Sequence, residues 1–233
     1  MASQQTIDET KAIWRNADAV CFDVDSTVCK EEGLDELAKF CGKGEEVANW
    51  TKKAMGGSIT FRVALTERLN LFRPSQLQIM KFKELHPLSL TPGIKELVKI
   101  LTSKQKDVYL VSGGFRALIE PVASELGLPV ENVHCNKLLF NSEGNYIGFD
   151  ENQPTSASGG KTCVVAQLIE KNRYKSLVMI GDGMTDFEAC PPAAAFIGFG
   201  GNIIREKVKQ SASWFVTDMK ELINELQDMN HSI

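Results

Sequence analysis

The chain lacks three things: an apolar run of the roughly 18–20 residues that a membrane span needs, an excess of positive charge, and any CxxC pair. The first absence excludes a helical membrane span. Twenty-six Lys and Arg stand against 30 Asp and Glu, a formal net charge of −4. No basic surplus is available to hold a phosphate backbone, so nucleic acid is not an expected partner. The six cysteines (Cys21, Cys29, Cys41, Cys135, Cys163 and Cys190) are scattered through 233 residues, as in proteins that keep their thiols reduced. The stretch from Met1 to Trp14 has no apolar run and carries Asp8 and Glu9, unlike a secretory signal or a transit peptide. The expected location is the cytoplasm. Histidine is scarce, with only His86, His134 and His231, which gives a Cys–His nucleophile little support.

Forty-three per cent hydrophobic and 24% charged residues are ordinary globular proportions, enough for one or two domains with a sizeable core. Four runs are continuously apolar rather than alternating: Ala19–Phe22, Val108–Val111, Leu177–Ile180 and Ala194–Ile197. That pattern suits strands buried on both faces. Helical patterns lie between them at Ile94–Leu101, Ala117–Leu126, Cys163–Glu170 and Ile203–Val208. Strands alternating with helices predict an α/β fold, a parallel sheet between two helix layers. Thr91-Pro92-Gly93 reads as a helix start with Thr91 as N-cap. Lys137–Phe140 and Tyr146–Phe149, joined through Gly144, read as a hairpin.

Glu31 to Leu90 breaks this rhythm, with several helical stretches and no buried strand. It is expected to be a helical insertion between the first two strands of the sheet. Phe61, Leu65, Leu69 and Phe72 form one apolar stripe, and Arg68 falls within it. An arginine there either snorkels at the rim or reaches into a cleft.

Four polar clusters follow predicted strands or open predicted helices: Asp23/Asp25/Thr27, Ser112-Gly113-Gly114, Gly159-Gly160-Lys161 and Gly181-Asp182-Gly183-Met184-Thr185-Asp186. Ligands of an open parallel sheet bind beyond the carboxyl ends of its strands, so the four are expected to converge. Asp23 and Asp25 share one side of a regular strand. With Asp182 and Asp186 they supply hard oxygen ligands suited to Mg²⁺. Ser112, backbone N–H groups and Lys161 suit a phosphate. The combination implies phosphoryl transfer.

Phe22-Asp23-Val24-Asp25-Ser26-Thr27 resembles the nucleophile motif of the haloacid dehalogenase superfamily. Leu110–Gly114, Gly160-Lys161 and Ile180–Asp186 resemble its other three motifs, in the family order. Glu31–Ala38, Ala54–Gly57, Leu65–Leu69, Leu90–Ile94, Ser112–Arg116 and Gly148-Phe149-Asp150-Glu151 are similar to the phosphoserine phosphatase family within it. The resemblance spans about Ala17 to Leu226; Met184, where relatives often have Ala, is a mild departure.

This resemblance implies a three-layer α/β/α Rossmann-like core from residues 1–30 and 91–233, with residues 31–90 as a helical cap. It implies Mg²⁺-dependent hydrolysis of O-phospho-L-serine, with Asp23 as nucleophile and Asp25 as general acid and base. One Mg²⁺ would be held by Asp23, the Asp25 carbonyl and Asp182, with Asp186 and Thr27 in support. Ser112, Gly113, Gly114 and Lys161 would hold the phosphoryl group, with Thr185 at the edge of the site. Glu32 would take the substrate ammonium and Arg68 its carboxylate, which places Arg68 in the cleft. Met55 and Gly56 would line the pocket and Phe61 would form a lid wall. Glu31, Asp35 and Glu36 are left as solvated charges. The expected assembly is a monomer or a homodimer.

Two rivals fare worse. A Walker A loop ending at Lys161 needs a glycine where Thr155 stands. A phosphoacceptor receiver module places its acidic pair first and its lysine last, whereas Asp182 and Asp186 close this series.

Overall fold

The computed structural model describes residues 6–54 and 59–227. A six-stranded, wholly parallel sheet runs in the order β3-β2-β1-β6-β7-β8. Its strands are β1 (Ala19–Phe22), β2 (Asp107–Phe115), β3 (Val133–Asn136), β6 (Leu177–Gly181), β7 (Ala195–Phe199) and β8 (Trp214–Val216). A separate antiparallel hairpin pairs β4 (Leu138–Phe140) with β5 (Tyr146–Phe149).

Alternation along central β1 builds two cores. Val20 and Phe22 enter one cluster with Ile94, Leu97 and Leu101 of α6 (Ile94–Ser103), Ile119 and Val122 of α7 (Arg116–Glu125), and Leu222 of α11 (Met219–Gln227). Ala19 and Cys21 point the other way, onto Val164, Val165 and Leu168 of α8 (Gly160–Asn172). All four β1 side chains are fully buried, as its continuous apolar run requires. Trp14 of α1 (Ile7–Asn16) completes the first layer, and its indole Nε1 donates to Leu222 O at 3.1 Å. Lys106 Nζ donates to the carbonyls of Arg15 and Ala17 at 3.0 and 2.6 Å, satisfying oxygens left over at the end of α1.

Between β1 and β2 the chain forms α2 (Gly33–Phe40), α3 (Gly44–Ala54), α4 (Phe61–Phe72) and α5 (Gln76–Leu85). Leu37, Leu65, Leu69 and Phe82 bury together with Leu138, Tyr146 and Phe149 of the hairpin. Gln76 N also donates to Gly144 O at 2.9 Å. The hairpin therefore packs with the inserted helices, although its sequence lies beyond residue 91.

The two segments joining these helices to the sheet run side by side. Cys29 and Leu90 form an antiparallel bridge, and Thr91 N donates to Val28 O at 2.8 Å. Glu31 is not a free solvated charge: its carboxylate accepts the Ser89 N–H at 2.8 Å and ties one segment to the other. Nor is Thr91 a helix cap. α6 begins at Ile94 behind Gly93, whose φ of +84° favours a residue without Cβ. The Thr91 hydroxyl instead donates to Thr27 O. The helix expected over Ile203–Val208 lies three residues later, as α10 (Glu206–Ser211).

Candidate active site

β1 ends at Phe22, so Asp23 and Asp25 do not share a strand face. Val24–Val28 is a tight turn, with Ser26 in the left-handed region at φ +55°. Asp23 opens the turn, its Oδ1 accepting the Val24 N–H at 2.7 Å. Asp25, inside the turn, has extended backbone angles and its Oδ1 accepts the Gly33 N–H at 2.7 Å. The Ser112 hydroxyl lies 3.5 Å from Asp25 Oδ2 and accepts the Gly114 N–H at 2.9 Å. Burial, together with the charges of Glu32 and Asp23, pushes the Asp25 carboxyl up to about 7. A carboxyl poised there can both give and take a proton near neutral pH.

Lys161, in the first turn of α8, brings its ammonium 2.8 Å from Asp23 Oδ2 and 2.7 Å from Asp186 Oδ1. Burial disfavours the charged lysine, but the two carboxylates outweigh that and hold it protonated. Asp186 Oδ2 accepts the Gly183 N–H at 3.0 Å. Gly181 ends β6 against this carboxylate; an added Cβ would lie 2.2 Å from Asp186 Cγ, so only glycine fits. Asp182 accepts from Thr27 Oγ1 at 3.1 Å and from Arg205 Nε at 2.7 Å. Oxygens of Asp23, Asp182 and Asp186 lie within 4.8 Å of one another. Three hard carboxylate donors this close, on rigid elements, fit a small divalent cation such as Mg²⁺.

The inserted helices close over this edge of the sheet. The Phe61 ring covers Gly113, where an added Cβ would meet Phe61 Cζ at 2.9 Å. Arg62 reaches across to Glu151 Oε2 at 2.9 Å, Glu151 O at 3.1 Å and Ser156 Oγ at 3.0 Å. Glu32 Oε1 accepts from Ser26 Oγ at 2.9 Å and from Arg205 at 3.0 Å. Arg68 turns inward rather than snorkelling. Burial lowers its pKa, against the opposing charges of Asp35, Glu32 and Asp25. Its hydrogen bonds among the described residues are long, 3.3 Å to Ala64 O and 3.5 Å to Thr51 Oγ1. Asp35, read from sequence as solvated, is half-buried in the field of Arg68. Glu36 does stay at the surface, paired with Lys39. Thr185 is exposed beside Gly183. Met55 and Gly56 lie outside the described residues.

Residues 17–193 match the family model of haloacid dehalogenase-like hydrolases. The phosphoserine phosphatase of Rattus norvegicus is 54% identical over 220 residues, which cover 94% of this chain and 98% of that protein. The chain belongs to the phosphoserine phosphatase family of haloacid dehalogenase-like hydrolases. Another phosphoserine phosphatase family member, the chloroplastic protein of Arabidopsis thaliana, is 53% identical over 92% of this chain and 73% of that one. Membership thus does not by itself fix a cytoplasmic location, although no helix among the described residues is long and apolar enough to cross a membrane. A solved structure described as a phospho-aspartyl intermediate analogue of phosphoserine phosphatase superposes with a TM-score of 0.77 at 25% identity, covering 89% of this chain and 98% of that chain.

Reasoning from the sequence missed several polar residues of this phosphoserine phosphatase family site. Arg205 bonds both Asp182 and Glu32, and Arg62 links an inserted helix to the loop after β5. The motif Gly148-Phe149-Asp150-Glu151 was a signal for the second, since it supplies Glu151. Nothing in the local pattern around Arg205 marks it, because its partners are 23 and 173 positions away.

Proposed function

We propose that this enzyme hydrolyses O-phospho-L-serine to L-serine and phosphate, the last step of serine biosynthesis by the phosphorylated route, through an aspartyl phosphate on Asp23. What supports the substrate assignment is that Glu32, hydrogen-bonded at 2.9 Å to Ser26 next to Asp25, and Arg68, half-buried on the same inserted segment, bring opposite charges close to the Asp25 carboxyl. Phosphoserine has an ammonium and a carboxylate beside its phosphate, and these two side chains complement them. Residues 31–90 act as the cap that selects substrate, and residues 1–30 and 91–233 as the catalytic core.

Asp23 attacks phosphorus in line, forming the bond between its carboxylate oxygen and phosphorus as the bond to the serine oxygen breaks. Asp25 gives its proton to that departing oxygen, then takes one from the water that hydrolyses the aspartyl phosphate. Lys161, Ser112 and the Gly113 and Gly114 backbone bind the phosphoryl oxygens. Thr27 and Asp186 hold Asp182 and Lys161 in register, with Thr185 at the margin. Phe61 excludes water from above. Asp23, the Asp25 carbonyl and Asp182 would hold one Mg²⁺, whose charge offsets repulsion between the nucleophile and the phosphate dianion.

The test is phosphate release from O-phospho-L-serine with Mg²⁺ and then with excess EDTA, using Asp23→Asn as blank. Release by the wild type alone, abolished by EDTA, is expected. Release from an aryl phosphate but not from phosphoserine would remove Glu32 and Arg68 from substrate recognition.

A further inference from the structure

The hydroxyl of Thr91 and the amide of Asn202 meet beneath the turn that carries both catalytic carboxyls. Asn202 Nδ2 lies 3.0 Å from Ser26 O, 3.3 Å from Cys29 O and 2.7 Å from Thr91 Oγ1. Thr91 Oγ1 lies 2.7 Å from Thr27 O. The direction of every proton follows from chemistry. Carbonyl oxygens only accept, so the amide faces them with its N–H groups rather than its oxygen. Thr91 has one hydroxyl proton, which goes to Thr27 O, and its lone pair receives the amide.

The location gives these bonds a purpose. Ser26 holds a φ of +55°, a conformation a non-glycine residue keeps only when its surroundings enforce it. The turn is also where Asp25 is aimed and where Thr27 reaches Asp182. Thr91 sits on the segment returning from the inserted helices, immediately after the bridge between Cys29 and Leu90. Asn202 comes from the loop after β7, three residues before Arg205. Two remote stretches of chain therefore grip the backbone of Ser26, Thr27 and Cys29 at once.

We infer that Thr91 and Asn202 are positioning residues for the phosphatase reaction: together they lock the Asp23–Cys29 turn in its reactive shape and anchor it to the return segment of the cap. This rests on the proposed covalent role of Asp23 and adds two residues that touch neither substrate nor metal. A misplacement of about 1 Å in such a turn costs on the order of 10²-fold in rate, while Arg68, Ser112 and Lys161, which lie on other elements, stay in place.

The experiment compares Thr91→Val, which removes the hydroxyl but keeps the shape, with Thr91→Ser, which keeps the hydroxyl, and with Asn202→Ala. Each is assayed beside the wild type for kcat and KM on O-phospho-L-serine and on an aryl phosphate. Hydrogen exchange is followed in peptides covering residues 24–29. Thr91→Val and Asn202→Ala should lower kcat roughly 10–100-fold on both substrates, with KM within about threefold. Both should lose protection in residues 24–29, and Thr91→Ser should restore rate and protection together. Equal rates in all four proteins would overturn the inference. So would a loss in Thr91→Val that Thr91→Ser shares in full, or a rise in KM for phosphoserine alone. A wild type that cleaves only the aryl phosphate would refute the substrate reading, and the comparison on that ester would still decide the roles of Thr91 and Asn202.

Discussion

The carboxyl edge of the sheet and the inserted helices above it handle charge in opposite ways. At the sheet edge the charges around Asp23 are already matched: Lys161 lies within 2.8 Å of two carboxylates, and Asp182 accepts from both Thr27 and Arg205. In the inserted segment the matching is looser. Arg68 makes long contacts with neutral oxygens although it is drawn in among acidic groups. A preorganised, internally satisfied cluster suits a step common to every phosphate ester. A guanidinium with weak partners suits recognition, because a substrate carboxylate improves on what it has. On the proposed reading, chemistry and choice of substrate are separated between two parts of the fold.

The severest challenge to this division is Asp23→Asn, expected to lower turnover of phosphoserine and of an aryl phosphate alike, by about four orders of magnitude or more. A variant that kept either activity would remove the covalent scheme. Next comes Arg68→Ala. Truncating one side of a buried charge pair costs roughly 2–5 kcal/mol, so kcat/KM for phosphoserine should fall about 30- to 5,000-fold, with the aryl phosphate within about fivefold. Equal losses would make Arg68 structural and erase the contrast between core and cap.

Glu32→Gln sharpens the comparison, since Glu32 touches both sides. Its charge helps raise the Asp25 carboxyl, so the substitution should move the alkaline limb of the phosphoserine pH–rate profile to lower pH. An unmoved limb would show that Glu32 does not act on Asp25. The smallest effect is on stability. Asp25 binds its proton more tightly folded, at about 7, than unfolded, near 3.8. The folded state then holds more protons between those values, and stability falls as pH rises through about 4 to 7. In EDTA, Asp25→Asn should raise Tm by about 2–5 °C at pH 8 and leave it nearly unchanged at pH 4. A lower Tm at pH 8, read by calorimetry, would contradict the buried, raised carboxyl.

The sequence announced β1, β2, β6 and β7 because strands covered on both faces must be apolar throughout. It was silent on β3 and β8, edge strands of four and three residues too short to show a period. The acidic and glycine motifs were legible because each is local to one turn. Asn202 and Arg205 were not, since their partners lie 111 to 176 positions away or, for Asp182, after the neighbouring strand β6. Thr91 shows how a correct local rule can mislead. Thr-Pro-Gly is a good helix start, but a buried carbonyl 64 residues upstream claims the hydroxyl. Asp35 was misread for a similar reason: nothing near it in sequence reveals that the charge of Arg68, 33 positions on, acts on it.

The strand order has a consequence for synthesis. β1, made first and placed at the centre, waits for β2 until residue 107 and for β6 until residue 177. Asp23, the proposed nucleophile, leaves the ribosome early, but its ammonium partner, its companion carboxylates and the arginine bound to Asp182 follow at residues 161, 182, 186 and 205. At roughly 5–20 residues per second, about ten seconds or more separate Asp23 from a complete site. Chains that stop short of the last third carry Asp23 without the lysine that pairs with it, and on the proposed mechanism a prematurely ended copy is inert toward phosphate esters.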